Sequence, residues 1–132
     1  MRTTQTATRI LNAKASTGVG VTMLVEDFED LMLSVNSESS ANLTVKFQGS
    51  IQEGAPDFAA AQTKDNAWDN IQVRDMQNAS SLDGDVGLAL AGSDDHRIFM
   101  MNVAGLRWIN AIVTARSAGA VTVLAKPFGR SS

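Results

Sequence analysis

The chain has no cysteine, no tyrosine, one histidine and two prolines in 132 residues. Without cysteine there can be no disulfide, no thiolate metal site and no cysteine nucleophile, so stability must come from packing and assembly. The one histidine, His96, sits beside two carboxylates in Ser93-Asp-Asp-His-Arg97. Consecutive residues diverge in direction and Gly92-Ser-Asp-Asp is ordinary turn chemistry, so a turn outranks a metal ligand there. A Ser-His-Asp site would need this same His96 with some unmarked serine, and neither Gly-x-Ser-x-Gly nor another nucleophile signature occurs. Gly18-Val-Gly20 lacks the third glycine of a dinucleotide fingerprint and the lysine of a P-loop, and reads as a turn into a strand. The expectation is a protein that is not an enzyme and carries no cofactor and no metal.

Aromatic residues make up 5% of the chain and the formal net charge is −3. A nucleic-acid module needs a basic surface with stacking aromatics, so that class is not expected. No apolar run approaches the ~20 residues of a membrane span, and Met1 to Arg9 lacks the apolar stretch of a signal peptide, which predicts a protein assembled in a cytoplasm. With 44% hydrophobic and 19% charged residues the composition is globular. A chain of this length folding as one domain, residues 1–132, buries roughly two thirds of its unfolded surface.

Charge is distributed unevenly. Arg2, Arg9 and Lys14 near the start, and Arg107, Arg116, Lys126 and Arg130 near the end, give the two ends +7 with no acid among them. All fourteen acidic residues lie between, against Lys46, Lys64, Arg74 and Arg97, so the middle carries −10. If the terminal strands lie together the folded surface is bipolar, and Arg2, Arg9, Lys14, Lys126 and Arg130 become candidate contacts for an acidic partner. The blander reading is that these groups simply solvate a surface. Residues 1–9 could form an extended arm.

The dominant period is two. Leu43, Val45 and Phe47 alternate with Thr44, Lys46 and Gln48, and similar alternation marks Val86, Leu88 and Leu90, and Val121, Val123 and Ala125. In a strand from Leu106 to Ala115, Ile109, Ala111 and Val113 share one face while Trp108, Asn110, Ile112 and Thr114 share the other. Apolar residues on both faces predict a central strand, or one covered by another subunit through Trp108 and Ile112. The Ser117-Ala-Gly119 turn between this strand and the next predicts a hairpin.

Residues 26 to 36 fit helical spacing through Phe28, Leu31, Met32 and Val35, and strand spacing through Leu31, Leu33 and Val35. A strand from Leu31 is preferred, because Asn36 to Asn42 supplies a turn-rich connection to the next strand. Glu26, Asp27, Glu29 and Asp30 lack the spacing and glycine of a calcium loop, and are read as a solvated edge. Further strands are expected near Ala7 to Ala13, Val19 to Val25, Ile71 to Asp75 and Arg97 to Val103, with Asp83-Gly-Asp85 as a hairpin turn. About eight to nine short strands predict an all-β fold, an antiparallel β-sandwich or jelly roll. The long irregular stretch from Gln52 to Ala67, with a helical turn at Phe58 to Gln62, is a candidate contact loop. Trp68 and Trp108 are either core anchors or exposed stacking platforms.

The segment order is a Gly-rich first hairpin, Asp27-Phe-Glu-Asp-Leu31 entering a strand, and Leu43 to Ser50. Trp68 then follows the loop, and Phe99 to Val103, Leu106-Arg-Trp-Ile109 and Gly119-Ala-Val-Thr-Val123 complete the chain. This order resembles small β-sandwich structural proteins of tailed-bacteriophage virions: capsid decoration or cement proteins, head fibres, and tail or baseplate components. The resemblance covers most of the chain and is one of strand pattern, without a diagnostic motif, a stalk or repeats. It implies no catalytic residues. It implies a decoration protein on the capsid surface that binds the major capsid protein and copies of itself, as a homotrimer. The alternatives are a tail, neck or baseplate adaptor and, from another class, a carbohydrate-binding jelly roll using an exposed Trp68 and the Gln52 to Ala67 loop.

Overall fold

The computed structural model describes residues 6–92 and 94–130. Arg2 lies outside them. Every regular element among the described residues is a β-strand, and all the pairings are antiparallel. In chain order they are β1 (Thr8–Lys14), β2 (Gly18–Val19), β3 (Met23–Leu24), β4 (Phe28–Ser50), β5 (Asp69–Asn70), β6 (Val73–Asp75), β7 (Ser81–Leu82), β8 (Leu88–Ala91), β9 (His96–Asn102) and β10 (Trp108–Arg130). They form one ten-stranded sheet with the path β1-β10-β4-β9-β6-β7; β2 and β3 also pair with β10, and β5 and β8 with β4.

The all-β expectation holds, and for residues 26 to 36 the strand reading prevails over the helical one, the strand starting at Phe28 rather than at Leu31. The expected hairpin does not form. The Leu106 to Ala115 and Val121 to Ala125 segments are two halves of the single 23-residue strand β10, and both halves pair with β4, also 23 residues long. The register runs from Trp108↔Ser50 to Val113↔Val45, shifts between Val113 and Ala115, between Arg116 and Ala118 and between Ala118 and Ala120, and then runs unbroken from Ala120↔Glu38 to Arg130↔Phe28. Ser117-Ala-Gly119 and the Asn36 to Asn42 segment therefore face each other as bulges at a shared corner. There Ser39, Ser40 and Gly119 adopt φ of 58°, 53° and 73°. A bulge with a left-handed residue bends a strand without reversing it, so the ladder continues past the corner.

Either side of the corner the pleat keeps its phase. Leu31, Leu33 and Val35 and then Leu43, Val45 and Phe47 of β4 are buried, as are Ile109, Ala111 and Val113 and then Val121, Val123 and Ala125 of β10. Together with Phe99 and Met101 of β9, Leu88 and Leu90 of β8, and Ile10 and Leu11 of β1 they make one hydrophobic cluster, so both arms of the bent sheet cover the same core. Each Val, Leu, Ile, Phe or Met side chain among them contributes about 1.5–3 kcal/mol on burial.

Shorter elements depart from expectation where backbone partners run out. Val19 to Val25 supplies only β2 and β3, because Gly20 to Thr22 leaves the ladder. The Gly20 amide still donates to the Ala111 carbonyl, and the Val21 amide to that of Ile10. Of the expected Ile71 to Asp75 strand only Val73–Asp75 forms, Ile71 and Gln72 separating β6 from β5. Val86 is 70% exposed and precedes β8. Asp83-Gly-Asp85 is a turn but not a hairpin, since β7 pairs with β6 and β8 with β4. At Phe58 to Gln62 there is a turn closed by the Ala60 amide on the Asp57 carbonyl, with no helix among the described residues.

Candidate functional site

The basic ends are partly brought together. β1 is an outer strand of the sheet path and pairs with the second half of β10, setting Thr8 opposite Ala125 and Arg9 opposite Leu124. Leu124 and Lys126 alternate with the buried Val123, Ala125 and Pro127, so Arg9 and Lys126 stand on the outward face, diagonal neighbours across two strands. Both are exposed and neither is in an ion pair among the described residues; Arg9 donates to the Asn12 side-chain carbonyl at 3.2 Å. Lys14 is half-buried at the far end of β1, its ammonium beside Gly18, and does not join them. Arg130 ends β10 opposite Phe28. Arg107 is committed elsewhere: it pairs with Glu26 and lies over the Trp108 ring, 5.3 Å from its centroid.

The 52–67 stretch is irregular but heavily braced. Phe58 is buried, 2% exposed, and its carbonyl accepts the buried Gln48 side chain. The Asn66 side chain donates to the Asp57 and Ala61 carbonyls and accepts from the Asp57 amide, while the Gln52 side chain accepts from the Ala67 amide. Trp68 packs on Phe58 with centroids 6.2 Å apart and donates its indole N–H to the Ala60 carbonyl. Trp68 is half-buried and, with Gly49, Ile51, Ile71 and Leu106, lines an open hollow of about 440 Å³ whose rim carries Gln62, Thr63 and Asp69. Both sequence readings of Trp68 are thus met in part: one side anchors the loop and another borders the hollow.

Trp108 and Ile112 are both half-buried within the chain itself. Their strand is central, flanked by β4 on one side and β2 and β3 on the other. Trp108 donates its indole N–H to the Gln52 carbonyl, and Asn110 between them is buried by hydrogen bonds to the Gly20 carbonyl and Thr22 hydroxyl. The chain's own loops thus cover part of the face assigned to a neighbouring subunit. His96 faces Asn36, with Nδ1 2.7 Å from the side-chain oxygen. No group of three or more His, Asp or Glu side chains that could hold a metal occurs among the described residues.

One surface feature escaped the sequence reading. Ile98 and Met100 point outward from β9, alternating with the buried Phe99 and Met101. The unbroken run Ile98-Phe-Met-Met101 is the available signal, since a strand apolar at every position has two faces to cover.

No family model and no curated protein matches the chain. Two solved structures share its fold. The SPBc2 prophage-derived protein YomS superposes with a TM-score of 0.66 at 16% identity, over 94% of this chain and 92% of that one. The PBSX exported protein XepA superposes with a TM-score of 0.66 at 14% identity, over 94% of this chain but 37% of that longer one. At these identities the likeness is one of fold, and the fold is one found in proteins of two prophages.

Proposed function

We propose that the chain is a structural protein of a phage particle, and within that class a decoration protein that binds the outer surface of the capsid lattice. The observation that carries the reading is the pairing of β1 with the second half of β10, which sets Arg9 and Lys126 as diagonal neighbours at one border of the sheet, both exposed and neither in an ion pair among the described residues. The fold shared with two prophage proteins supports the broader class. Many copies would bridge neighbouring capsid subunits, each adding modest binding energy that multivalency and mass action turn into resistance of the shell to internal pressure. Self-association through the partly exposed Trp108 and Ile112, as in a trimer, belongs to the same reading and is checked by sedimentation.

The test is cryo-electron microscopy of the source particle, with binding of the purified chain to particles that lack it. Density in many copies over the head supports decoration. A single ring at the neck or tail makes the chain an adaptor instead, and absence from the particle rejects the virion reading. Replacing Arg9 and Lys126 together by Glu is expected to weaken particle binding on the order of tenfold at low salt and less at high salt. A second reading, glycan binding, is favoured by one observation, the braced Trp68 beside polar Gln62, Thr63 and Asp69 at the hollow. Glycan-array binding abolished by Trp68→Ala would support it.

A further inference from the structure

The solvent side of an antiparallel sheet is ordinarily polar. On the arm built from β1, β10, β4, β9 and β6 it is polar towards the ends of the strands, at Thr122, Asn36 and His96 and at Asp30 and Asn102, but apolar side chains interrupt it in the middle. Leu31, Leu33 and Val35 of β4 and Phe99 and Met101 of β9 face the core, so Met32, Ser34, Ile98 and Met100 face out. The register sets these residues in rows. Lys126, Met32, Met100 and Arg74 lie side by side across four strands, and Leu124, Ser34 and Ile98 form the next row. Arg9 joins that row opposite Leu124, and Met76, whose amide donates to the Ile98 carbonyl, extends it on the other side. Ile98 is 50% exposed and Met76 48%. The result is an apolar stripe with Arg9 and Lys126 along one border and Arg74 on the other.

We infer that this stripe is a docking face for an acidic protein surface, one with an apolar centre bordered by carboxylates. Charge decides among the occupants. None of the three bordering cations is in an ion pair among the described residues, and one carboxylate, Asp30, lies in the row beyond, beside Phe128 and Asn102. A second copy docking through this same face would bring like charges against like, which opposes a face-to-face dimer. An anionic bilayer has the right sign, but its apolar interior lies beneath the headgroups, and short side chains held within a strand ladder, Met32 and Met100 half-buried among them, do not project to reach it. Methionine suits a protein partner, because its unbranched, polarizable side chain adapts to the surface it meets. The inference shares Arg9 and Lys126 with the decoration reading, rests on it for nothing else, and does not require the partner to be a capsid.

Methionine ε-methyl NMR of the full chain tests it. Met32, Met76 and Met100 report on the stripe, while Met101, with 0% exposure, is an internal control. The probe is a synthetic peptide with leucines at its centre and glutamates at both ends, compared with its counterpart bearing lysine for glutamate. Saturable shifts of the three stripe methyls, with Met101 unmoved and the lysine peptide inert, are the expected result. Met100→Asp is expected to weaken binding by about tenfold or more, because it places a charge in an apolar contact. Should that variant misfold by circular dichroism, Arg74→Glu on the exposed border serves in its place and is expected to weaken binding too. The inference is overturned if the acidic peptide leaves the stripe methyls unmoved, or if the lysine peptide binds as well. It is also overturned if anionic phospholipid vesicles shift these methyls and the acidic peptide does not, or if sedimentation shows a dimer that Met100→Asp abolishes. Peptide binding lost while particle binding persists rejects the stripe alone; peptide binding intact while particle binding fails rejects decoration alone.

Discussion

Gly119 is where the bend of the sheet can be put to a quantitative test. It adopts φ of +73°, and a Cβ built there would lie 2.4 Å from the Ala41 Cα, 2.6 Å from the Glu38 carbonyl oxygen and 2.8 Å from the Ala41 Cβ. The left-handed conformation alone costs an alanine about 1 kcal/mol. The overlap adds more, because two of the three obstructing atoms are backbone of the paired strand β4 and no flexible side chain can swing aside; crowding of this kind costs about 1–3 kcal/mol or more. Gly119→Ala should therefore lose about 2–4 kcal/mol in all, a large part of the roughly 5–15 kcal/mol that holds a domain together. Two other glycines separate the contributions. Gly105 has φ of +86° with nothing within 4 Å, so its alanine variant should lose about 1 kcal/mol, for conformation only. Gly54 has open space and no positive φ, and its alanine variant should stay within about 0.5 kcal/mol of the parent. Urea titrations followed by circular dichroism read all three; for a slope of about 1.5–2 kcal/mol/M the Gly119 variant's midpoint falls by about 2 M. If Gly119→Ala falls no further than Gly105→Ala at unchanged slope, the close approach at the corner is not what the geometry says it is.

Asp75 is 5% exposed, pairs with Arg97 and accepts the Gln77 amide, so Asp75→Ala should cost about 2–3 kcal/mol by leaving a partly buried guanidinium unmatched. Adding Arg97→Met should recover a good part of that loss in the same urea assay. Phe58→Ala removes the ring on which Trp68 rests and should cost about 3 kcal/mol. It should also red-shift Trp68 emission and open residues 52–67 to limited proteolysis; unchanged emission and cleavage would mean that the loop is braced without Phe58.

Much of the fold was legible because alternation is a local signal. Leu43, Val45 and Phe47, or Val121, Val123 and Ala125, need no knowledge of their partners to be read as one face of a strand. The corner was not legible, for a physical reason. Gly and Ser residues that tolerate positive φ serve a reversing turn and a bulge equally well, and Ser117-Ala-Gly119 has the chemistry of both. What separates them is whether the chain beyond the turn pairs with its own preceding half or continues along the same neighbour. Here it continues along β4, whose own bulge at Ser39 and Ser40 lies about 80 residues earlier in the sequence. No local window contains both.

The same long-range pairing decides what could be seen of the candidate site. A surplus of cations at the two ends is plain in the sequence, but that Arg9 stands diagonal to Lys126 while Lys14 does not depends on β1 pairing with the second half of β10 with two register shifts. Arg74 could not have been connected to them at all, since it reaches the same face only through β9 and β4. The corner links these facts to the core. Because both long strands resume in the original phase beyond their bulges, Leu31, Leu33 and Val35 face inward together with Val121, Val123 and Ala125, and their neighbours Met32, Leu124 and Lys126 are turned out together. A slip of one residue in either strand would carry Lys126 or Met32 into the core and core residues onto the surface. The pairing that buries the core is therefore the pairing that assembles the cation-bordered stripe.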